Sequence, residues 1–351
     1  MGTTEPDSVD TGTAQTTNSA LADFIDNFVP VTEDESSWNP EDPPDFGGHE
    51  FKFLNSAPIY SMYIYLAPDA TGDVLDEACV LRNVMAQEKF NITITEETQP
   101  YTEIASYAQT LIQSGENVYD AMYIGCQELT PLVSENMFVD LMEVEEINID
   151  QIWWDQPLIK RNIIEDRLFY ATSDLSLMAF EGVWAIYFSE GMMTELGLDF
   201  PYKAVQEGKW TIDKLSEFSE LAANDTNGDG VMTEDDIYGF LGGNDVMDAL
   251  FHGIGSTLVT RNNDGAYEFT YGTERDINGT DAVVKLMNED WFFNHHMASN
   301  TDDIYYRQLF ESGHGLFFWM RLDEVTNMRE GDADFGIIPV PKLEESQDTY
   351  Y

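Results

Sequence analysis

Twelve residues from Asp225 to Asp236 have the residue types and the spacing of a calcium-binding loop. Oxygen-bearing side chains stand at loop positions one, three and five, and a glycine stands at position six, where such a loop turns sharply. Position seven offers a backbone carbonyl, position nine a side chain or a water, and position twelve a closing carboxylate. The predicted ligands are Asp225, Asn227, Asp229, Val231, Thr233 and Asp236. The alternative is an acidic, glycine-rich surface turn that binds no metal.

A calcium-dependent switch needs a helix on each side of its loop, and this sequence predicts a helix on one side only. Upstream, Thr211 is a suitable helix cap, and an apolar stripe with helical spacing follows it. The stripe consists of Leu215, Phe218, Leu221 and Ala222. Downstream, residues 237–243 are aromatic and interrupted by glycines, which predicts a strand or a loop. The loop is also single, so we interpret its calcium as structural.

The net charge excludes whole classes of partner. The chain has 351 residues, with 66 Asp and Glu against 16 Lys and Arg, and a net charge of −50. Such a chain cannot neutralise a phosphate backbone, so nucleic acid is excluded, and an anionic membrane surface would repel it. The N-terminus lacks the basic start and apolar stretch of a signal peptide, so we expect a cytoplasmic protein or one whose leader has been removed. Cys79 and Cys126 allow one disulfide or two free buried thiols.

Catalytic patterns are scarce. The sequence contains no Gly-x-Ser-x-Gly, no phosphate loop and no Gly-x-Gly-x-x-Gly fingerprint. His295 and His296 are neighbours without a Glu-x-x-His partner, so a zinc site is not expected. Pairs of carboxylates carry no information about glycosidase chemistry in a chain with 66 of them. We therefore expect a protein that is not an enzyme.

The order of predicted elements indicates an α/β fold. Residues 1–48 are acidic, have no Lys or Arg, and predict a disordered tether. Residues 49–152 predict a first lobe in which short connections join alternating strands and helices, as in a parallel sheet. The predicted strands start at Phe51, 91 and 119, and the helices cover 74–89 and 104–113. Ligands bind beyond the carboxyl ends of such strands, which here means residues 56–60 and 125–128.

Residues 153–334 predict a second lobe that contains the calcium loop. Its predicted strands cover 168–172, 183–188 and 315–319, and its helices cover 212–224, 244–252, 281–288 and 304–312. Residues 335–351 begin with an extended segment that we expect to be a hinge strand returning to the first lobe. The chain ends at Tyr351.

The order of these segments resembles extracellular solute-binding protein family 1, the maltose-binding-protein-like components of carbohydrate ABC importers, in the Gram-positive lipoprotein form. The segments that carry the resemblance are 88–94, 117–124, 170–188, 208–215, 311–318 and 335–342. The resemblance implies a two-lobe periplasmic-binding-protein-like fold with a ligand cleft that closes by a hinge. It also implies export and a lipid-anchored cysteine ahead of the tether. Because the family continues past its hinge strand, we expect a chain that is truncated and a fold that is incomplete at its C-terminus.

The resemblance implies that the protein captures a carbohydrate, and we expect an oligosaccharide. It also implies an extracellular monomer that delivers the sugar to an ABC permease in the membrane. Two alternatives remain open at this point. One is a surface protein that captures glycans without serving a transporter, and the other is a glycoside hydrolase.

The residues predicted to bind the sugar combine stacking aromatics with polar side chains, as sugar clefts do. They are Glu181, Trp184, Asp174, Gln127, Tyr60, Asn244, Asp245, Trp319 and Arg321. Glu181 matches a cleft-facing acid of the family, and Asn244 and Asp245 match a cleft-facing loop. Six of these predictions have an alternative: core packing for Trp184, helix capping for Asn244 and Asp245, and a salt bridge for Arg321. An ordinary surface loop is the alternative for Gln127 and Tyr60.

Overall fold

The computed structural model describes residues 43–57, 74–262, 265–298, 300–329, 331 and 333–351, which form two α/β bodies. The first body has a parallel sheet with the strand order β2-β1-β3. Its elements are β1 (His49–Ala57), α1 (Val74–Phe90), β2 (Ile92–Pro100), α2 (Ile104–Ser114), β3 (Ala121–Tyr123) and α3 (Cys126–Ser134). The predicted alternation of strands and helices is confirmed.

A small core holds the first body together. Leu54 of β1 and Leu132 of α3 are almost fully buried, together with Ile104 and Ala108 of α2. Helix α2 ends at Gly115, whose φ of +77° is a left-handed conformation that favours glycine. The amide of Gly115 and that of the next residue bond back to the last turn of the helix, so the chain leaves α2 with its carbonyls satisfied.

Two short helices follow the first sheet along the chain, α4 (Gln156–Asn162) and α5 (Met178–Glu181). The second body is larger and is built on a mixed sheet with the order β10-β4-β9-β5-β8. Its elements are β4 (Trp184–Ser189), α6 (Glu190–Leu196), α7 (Tyr202–Gln206), α8 (Ile212–Ala222), β5 (Tyr238–Gly242), α9 (Val246–Gly253), β6 (Val259–Arg261), β7 (Tyr267–Phe269), α10 (Glu274–Met287), β8 (Phe292–Asn294), α11 (Asp303–Glu311), β9 (Gly315–Arg321), α12 (Glu324–Met328) and β10 (Phe335–Ile338).

Both faces of the second sheet are covered by helices. Alternate residues of β9 point to opposite faces, because side chains alternate along a strand. Phe317 and Trp319 pack with α8, α9 and α10, whereas Phe318 and Met320 pack with α11 and α12. This three-layer arrangement explains why β9 is an uninterrupted apolar run, and it leaves the strand ends uncovered by the two helix layers.

Helix α8 forms largely as its sequence predicts. The Thr211 hydroxyl accepts the amide of Lys214 at 3.3 Å and caps the helix. Leu215, Phe218 and Ala222 are buried against the sheet. The prediction for Leu221 is wrong, because its side chain is 56% exposed and lies outside the apolar stripe. Ile212 and Ser219 complete the buried face instead.

The segment 335–351 was predicted to return to the first lobe, and this prediction is wrong. Strand β10 pairs antiparallel with β4 inside the second sheet. The residues after it stay on the same body: the Trp210 indole donates to the carbonyl of Pro339 at 2.9 Å, and the hydroxyl of Tyr350 accepts the Trp210 amide at 3.2 Å. The buried ammonium of Lys342 donates to two backbone carbonyls of its own segment. An extended pattern predicts a strand but does not identify its partner.

The crossing between the bodies lies later in the chain than the predicted boundary at 152/153. The hydroxyls of Ser176 and Tyr123 are 2.6 Å apart, and Arg82 donates to the carbonyl of Leu175 at 2.8 Å, so the chain near residue 176 still lies against the first body. At Glu181 the backbone carbonyl accepts the amide of Asp323, in the second body. The chain therefore crosses between residues 177 and 183.

The strand predicted at 168–172 is also absent from the described structure. Leu168 and Phe169 are buried, which is why the run looks like a strand. The backbone here bonds instead to single partners: Leu168 bonds with Leu141 and with the carboxylate of Asp140, and the carbonyl of Thr172 accepts the amide of Asp155. An apolar run buried beneath loops has the same composition as a strand, but it forms no ladder of backbone hydrogen bonds with a neighbouring strand.

Several predictions concern residues that the structure does not describe. Most of the predicted tether, residues 1–42, lies outside the described residues, and so does Tyr60. The two cysteines are free, with Cys79 buried and Cys126 exposed, so only Cys79 fits the prediction of buried thiols. Within the described ranges, no helix is both long enough and apolar enough to span a membrane.

Candidate functional site

Polar and aromatic side chains meet where strands of the second sheet end. Strands β5, β8 and β9 are parallel, and β4 is antiparallel to β9, so Trp184 at the start of β4 lies opposite Arg321 at the end of β9. We call the side chains at this edge the strand-end cluster. It consists of Glu181, Trp184, Asn244, Asp245, Asn294, His295, His296, Trp319, Arg321 and Asp323. The structure thus brings together six of the nine residues predicted to bind ligand.

Two tryptophans form the centre of the strand-end cluster. The rings of Trp184 and Trp319 are stacked, with centroids 5.3 Å apart and an angle of 20° between the planes. Trp319 is only 4% exposed, whereas Trp184 is 40% exposed. Trp184 is therefore not a core residue, although Ile186 and Phe188 on the same strand face are. Trp319 was predicted to contact ligand; its burial instead makes it the support on which Trp184 lies.

Asp245 fixes the orientation of Trp319. Its Oδ2 accepts a 2.8 Å hydrogen bond from the indole Nε1 of Trp319. Its Oδ1 is buried and has no hydrogen-bond partner among the described residues. The predicted alternative of helix capping is not what the structure shows, because no cap hydrogen bond runs from the Asp245 side chain to α9. A buried carboxylate oxygen without a donor is costly, so this oxygen favours a donor brought by a ligand or by water.

The ion pair of Arg321 and Asp323 lies where the segment that crosses between the two bodies meets the end of β9. Asp323 accepts three hydrogen bonds from the guanidinium of Arg321, at 3.0 to 3.2 Å. The guanidinium carbon lies 5.8 Å from the centroid of the Trp184 ring, within the range of a cation–π contact. The amide of Asp323 donates to the carbonyl of Glu181. The predicted salt bridge of Arg321 is present, and it places the cation beside the exposed tryptophan.

The other side of the strand-end cluster is a network of amides and imidazoles. Asn294 donates to Oδ1 of Asn244 at 2.8 Å, and the amide of Asn244 donates to Nδ1 of His296 at 2.9 Å. His295 is buried beneath them and stacks on Tyr306, with centroids 4.1 Å apart. Because Nδ1 of His296 accepts a hydrogen bond, the neutral ring carries its proton on Nε2, which stays available as a donor.

Gly243 lets these groups approach one another. A Cβ at this position would collide with Oδ1 of Asp245 and would lie 2.7 Å from the His296 ring and 2.8 Å from the His295 ring. The loop after β5 therefore needs glycine here, because the carboxylate and both imidazoles occupy the space that a side chain would fill.

Glu181 is the titratable member of the strand-end cluster whose ionisation is disfavoured. Burial raises the pKa of its carboxyl, and the negative charge of Asp323 raises it further. Because the pKa of Glu181 is higher in the folded state than in the unfolded state, this carboxyl contributes to the free energy of unfolding in full below its unfolded pKa. The contribution is lost as the pH rises through the folded pKa.

We therefore expect Glu181→Gln to stabilise the fold at neutral pH, because glutamine does not ionise. The variant should melt at a higher temperature than the wild type near pH 7, and the two should melt together below about pH 4, where both side chains are neutral. Thermal melts across this range measure the difference. A constant difference at every pH would contradict the assignment, since packing alone would then account for it.

Three predicted residues are not part of the strand-end cluster. Asp174 and Gln127 are exposed, and no hydrogen bond or ring contact in the described part of the chain joins either side chain to it. Tyr60 lies outside the described residues. The strand-end rule placed Gln127 at the first body, and no described residue of that body belongs to the strand-end cluster.

Four members of the strand-end cluster were not predicted from the sequence: Asn294, His295, His296 and Asp323. A signal for the first three was present: Asn294 follows the buried strand residues Phe292 and Phe293, as Asn244 follows β5. Applying the strand-end rule to every buried run, and not only to the first lobe, would have found them. Asp323 carries no such signal, because its role depends on the side chain of Arg321.

The predicted calcium loop folds over its own side chains. Asp225 accepts the amides of Gly228 and Gly230 at 2.7 Å each. Asn227 and Asp229 each accept the amide two residues ahead, at 2.8 Å. Gly230 has a φ of +81°, so the sharp turn expected at position six is present. The first three predicted ligands therefore lie along the inside of the turn.

Asp236 departs from this pattern. It is fully buried, and its two oxygens accept four hydrogen bonds, from the amides and hydroxyls of Thr226 and Thr233. Led by the Thr233 amide, these bonds lower the pKa of Asp236 to about 2. The residues that the structure describes contain no group of three or more His, Cys, Asp or Glu side chains placed to hold a metal ion. The protein itself thus already satisfies the closing carboxylate.

No protein-family model matches the sequence, and a search of curated proteins finds no match. The structure is similar to solved structures of solute-binding proteins. One is an ABC substrate-binding protein from Listeria monocytogenes in complex with cycloalternan: it is 11% identical, the TM-score is 0.54, and the match covers 86% of this chain and 68% of that one.

Two further solved structures are similar. The GacH receptor of Streptomyces glaucescens, determined without ligand and with acarbose, is 13% identical at a TM-score of 0.51, with coverage of 84% of this chain and 67% of that one. A sugar transporter from Rhizobium etli in an open conformation is 14% identical at a TM-score of 0.53, with coverage of 86% and 68%. At such low identity the likeness shows the fold, which is the predicted two-lobe fold of solute-binding proteins.

Proposed function

We propose that the chain captures a carbohydrate at the strand-end cluster, as the solute-binding component of an ABC importer. The observation that carries the proposal is Trp184, an exposed indole held flat on a buried one at the ends of the sheet strands. A sugar ring has an apolar face that stacks on such an indole. Exposed tryptophan is costly in water, and a ligand that covers it recovers that cost.

The polar groups around Trp184 suit the hydroxyls at the rim of a sugar. Oδ1 of Asp245 is an acceptor without a donor among the described residues, and the carboxyl of Glu181 is a second acceptor. His296 and the Arg321 guanidinium offer N–H donors. A mixture of a few fixed acceptors and donors beside one aromatic face is what small-molecule sites of this type need.

The proteins with similar folds support the same ligand class. Their structures contain cycloalternan, acarbose and, in a cyclo/maltodextrin-binding protein that is 13% identical at a TM-score of 0.53, maltotetraose. On this basis we propose an oligosaccharide as the ligand, a membrane permease as the partner, and an exported monomer tethered outside the cell by an N-terminal lipid.

A calorimetric screen of oligosaccharides against the purified chain tests the proposal. We expect saturable binding of at least one oligosaccharide, quenching or shifting of tryptophan fluorescence, and no release of reducing sugar on prolonged incubation. A chain that binds a peptide or an amino acid but no sugar overturns the ligand class. Release of reducing sugar at the rate of a hydrolase overturns the assignment as a binding protein.

We also propose that the loop 225–236 binds calcium as a structural ion. The inward-folded side chains of Asp225, Asn227 and Asp229 support the proposal, together with the turn at Gly230. Threonine amides and hydroxyls already donate to both oxygens of Asp236. A cation would therefore have to displace the two threonine hydroxyls, which can rotate away from the carboxylate. We expect this competition to weaken the site relative to a loop whose closing carboxylate is free.

Removal of calcium by a chelator should lower the melting temperature of the wild type. Asp225→Ala should abolish that sensitivity, because it removes the ligand at position one, while Asp199→Ala, at an exposed acid outside the loop, should retain it. Scanning fluorimetry with and without chelator measures both. Sugar affinity should change less than about twofold on chelation if the ion is only structural. An unchanged wild-type melt would contradict calcium binding.

A further inference from the structure

A β-hairpin of the second body reaches the first body. Strands β6 and β7 pair antiparallel, and Arg261 stands opposite Tyr267 at the end next to the turn. Because residues directly opposite each other in such a pair share a face, the two side chains leave the hairpin on the same side. The Tyr267 hydroxyl donates to the carbonyl of Ile163 at 2.6 Å, and Nη2 of Arg261 donates to the carboxylate of Asp166 at 2.9 Å. We call these two contacts the hairpin strap.

The residues that receive the hairpin strap belong to the first body. They form a tight turn in which the amide of Ile164 donates to the carbonyl of Arg167 at 2.9 Å, and the amide of Arg167 donates back at 3.0 Å. The guanidinium of Arg167 donates to the side chain of Asn136 at 2.9 Å, two residues after α3. The hairpin strap therefore joins the second body to the first at a turn that lies outside the crossing segment 177–183.

The hairpin strap is a second link between the two bodies, in addition to the chain itself. Within the described ranges, side chains of the second body bond to residues before 177 through Arg261 and Tyr267. The described chain crosses between the bodies once, at 177–183, and a single crossing allows one body to turn against the other. A contact made away from the crossing resists that rotation.

The turn that carries Asp166 is strained. Glu165 and Asp166 have φ angles of +48° and +62°, a left-handed conformation in which a Cβ is unfavourable. Asn-Gly is the usual occupant of a two-residue turn of this kind, because both residues tolerate a positive φ. Strained backbone persists where the surrounding structure enforces it, and it is concentrated at functional contacts. Here the strain lies at the point where the two bodies meet.

The hairpin strap is weak enough to be released. The side chain of Asp166 is 94% exposed and that of Arg261 is 28% exposed, so water and salt screen their attraction. The bond from Tyr267 to the carbonyl of Ile163 is a single neutral hydrogen bond. Two interactions of this size shift an equilibrium between two arrangements by about tenfold, which favours one arrangement without locking it.

We propose that the hairpin strap is a releasable restraint on the angle between the two bodies. It holds them in the arrangement of this structure, and rotation of one body against the other breaks both contacts together. The contacts act as a unit because Nε of Arg261 donates to the carbonyl of Gly265 at 3.0 Å, which fixes the guanidinium to the hairpin that also carries Tyr267. The hairpin strap does not involve the strand-end cluster, so this proposal and the proposed sugar binding can fail independently.

Single-molecule energy transfer on the full chain, without ligand, tests the proposal. One dye is attached to Cys126, which is exposed in the first body. The other is attached to Asp199→Cys or, in a second label pair, to Lys285→Cys, both at exposed positions of the second body. Arg261→Gln combined with Tyr267→Phe should raise the fraction of molecules outside the main distance population of the wild type by about tenfold. Distance distributions that stay unchanged in both label pairs would overturn the proposal.

Matched variants test the two contacts separately. Asp166→Asn should raise the same fraction about threefold at low salt, and about 1 M salt should raise it in the wild type but not further in this variant. Glu165→Gln removes the same charge from the neighbouring residue, whose carboxylate bonds within its own turn, and should have no effect. Tyr271→Phe, at a hydroxyl that bonds within the second body, is the control for Tyr267→Phe. If either control changes the distances as much as its counterpart does, the hairpin strap is not the restraint, and the proposal fails.

Discussion

Replacement of Trp184 by alanine is expected to lower oligosaccharide affinity by about 30-fold or more, the size of effect that an aromatic residue at the centre of a binding surface commonly has. The indole is the exposed layer of the stacked pair, so its removal takes away the surface on which a sugar ring would lie. The fold should survive, because the side chain is 40% exposed and Trp319 remains buried beneath it. Calorimetry with the best oligosaccharide of the screen measures the loss.

Phe269→Ala is the matched control for Trp184→Ala. Phe269 is a large aromatic side chain, 72% exposed, on the hairpin strand β7 and outside the strand-end cluster. Its replacement should leave sugar affinity within about twofold. If Trp184→Ala binds sugar as well as Phe269→Ala does, the ligand lies elsewhere, and the strand-end cluster is only the exposed end of the core.

Replacement of Gly239 by alanine is expected to destabilise the second body by more than about 3 kcal/mol, enough to prevent folding of a marginally stable domain. A Cβ on this β5 residue would collide with the backbone of Ser219 in α8, at its carbonyl group and at its Cα. A backbone cannot move aside as a flexible side chain does, so α8 would have to lift from the sheet. Urea denaturation, or the yield of soluble protein, measures the effect.

Gly191→Ala is the matched control for stability. Gly191 lies within helix α6, and a Cβ there would meet only the Ser189 hydroxyl, at 3.9 Å. Alanine is favoured over glycine in a helix by up to about 1 kcal/mol, so this variant should be neutral or more stable. A Gly239→Ala protein that unfolds at the same urea concentration as Gly191→Ala would show that α8 does not lie as close to β5 as the structure places it.

Local patterns in the sequence were sufficient for several of the elements but not for their partners. Helix α8 could be predicted because its cap at Thr211 and its apolar spacing are both local. The place of β10 could not, because an extended apolar segment fits the edge of either sheet, and pairing with β4 is decided by the rest of the body. The buried run at Leu168 shows the same limit, since burial under loops and burial in a sheet select the same residues.

The candidate site could likewise be predicted from the sequence only in part. Glu181, Asn244 and Asp245 could be named because they match cleft-facing positions of the family that the sequence resembles, and Trp184 because it flanks the same crossing segment as Glu181. The stacking of Trp184 on Trp319, and the three bonds between Arg321 and Asp323, could not, because each depends on the register between β4 and β9. The two tryptophans have different roles because one is buried and the other is exposed. The spacing of residues along the chain does not show which of them is buried.

The position of β4 in the second sheet has a consequence for how the protein is made. Its neighbours, β9 and β10, both come late in the chain: Tyr187 of β4 bonds to Arg321, 134 residues further on. At about 5–20 residues per second, a ribosome needs roughly 7 to 27 seconds to cover that distance. During this time an apolar strand has both edges unpaired, which is the form most prone to aggregate. We therefore expect the nascent second body to be most prone to aggregate before β9 and β10 have been synthesised.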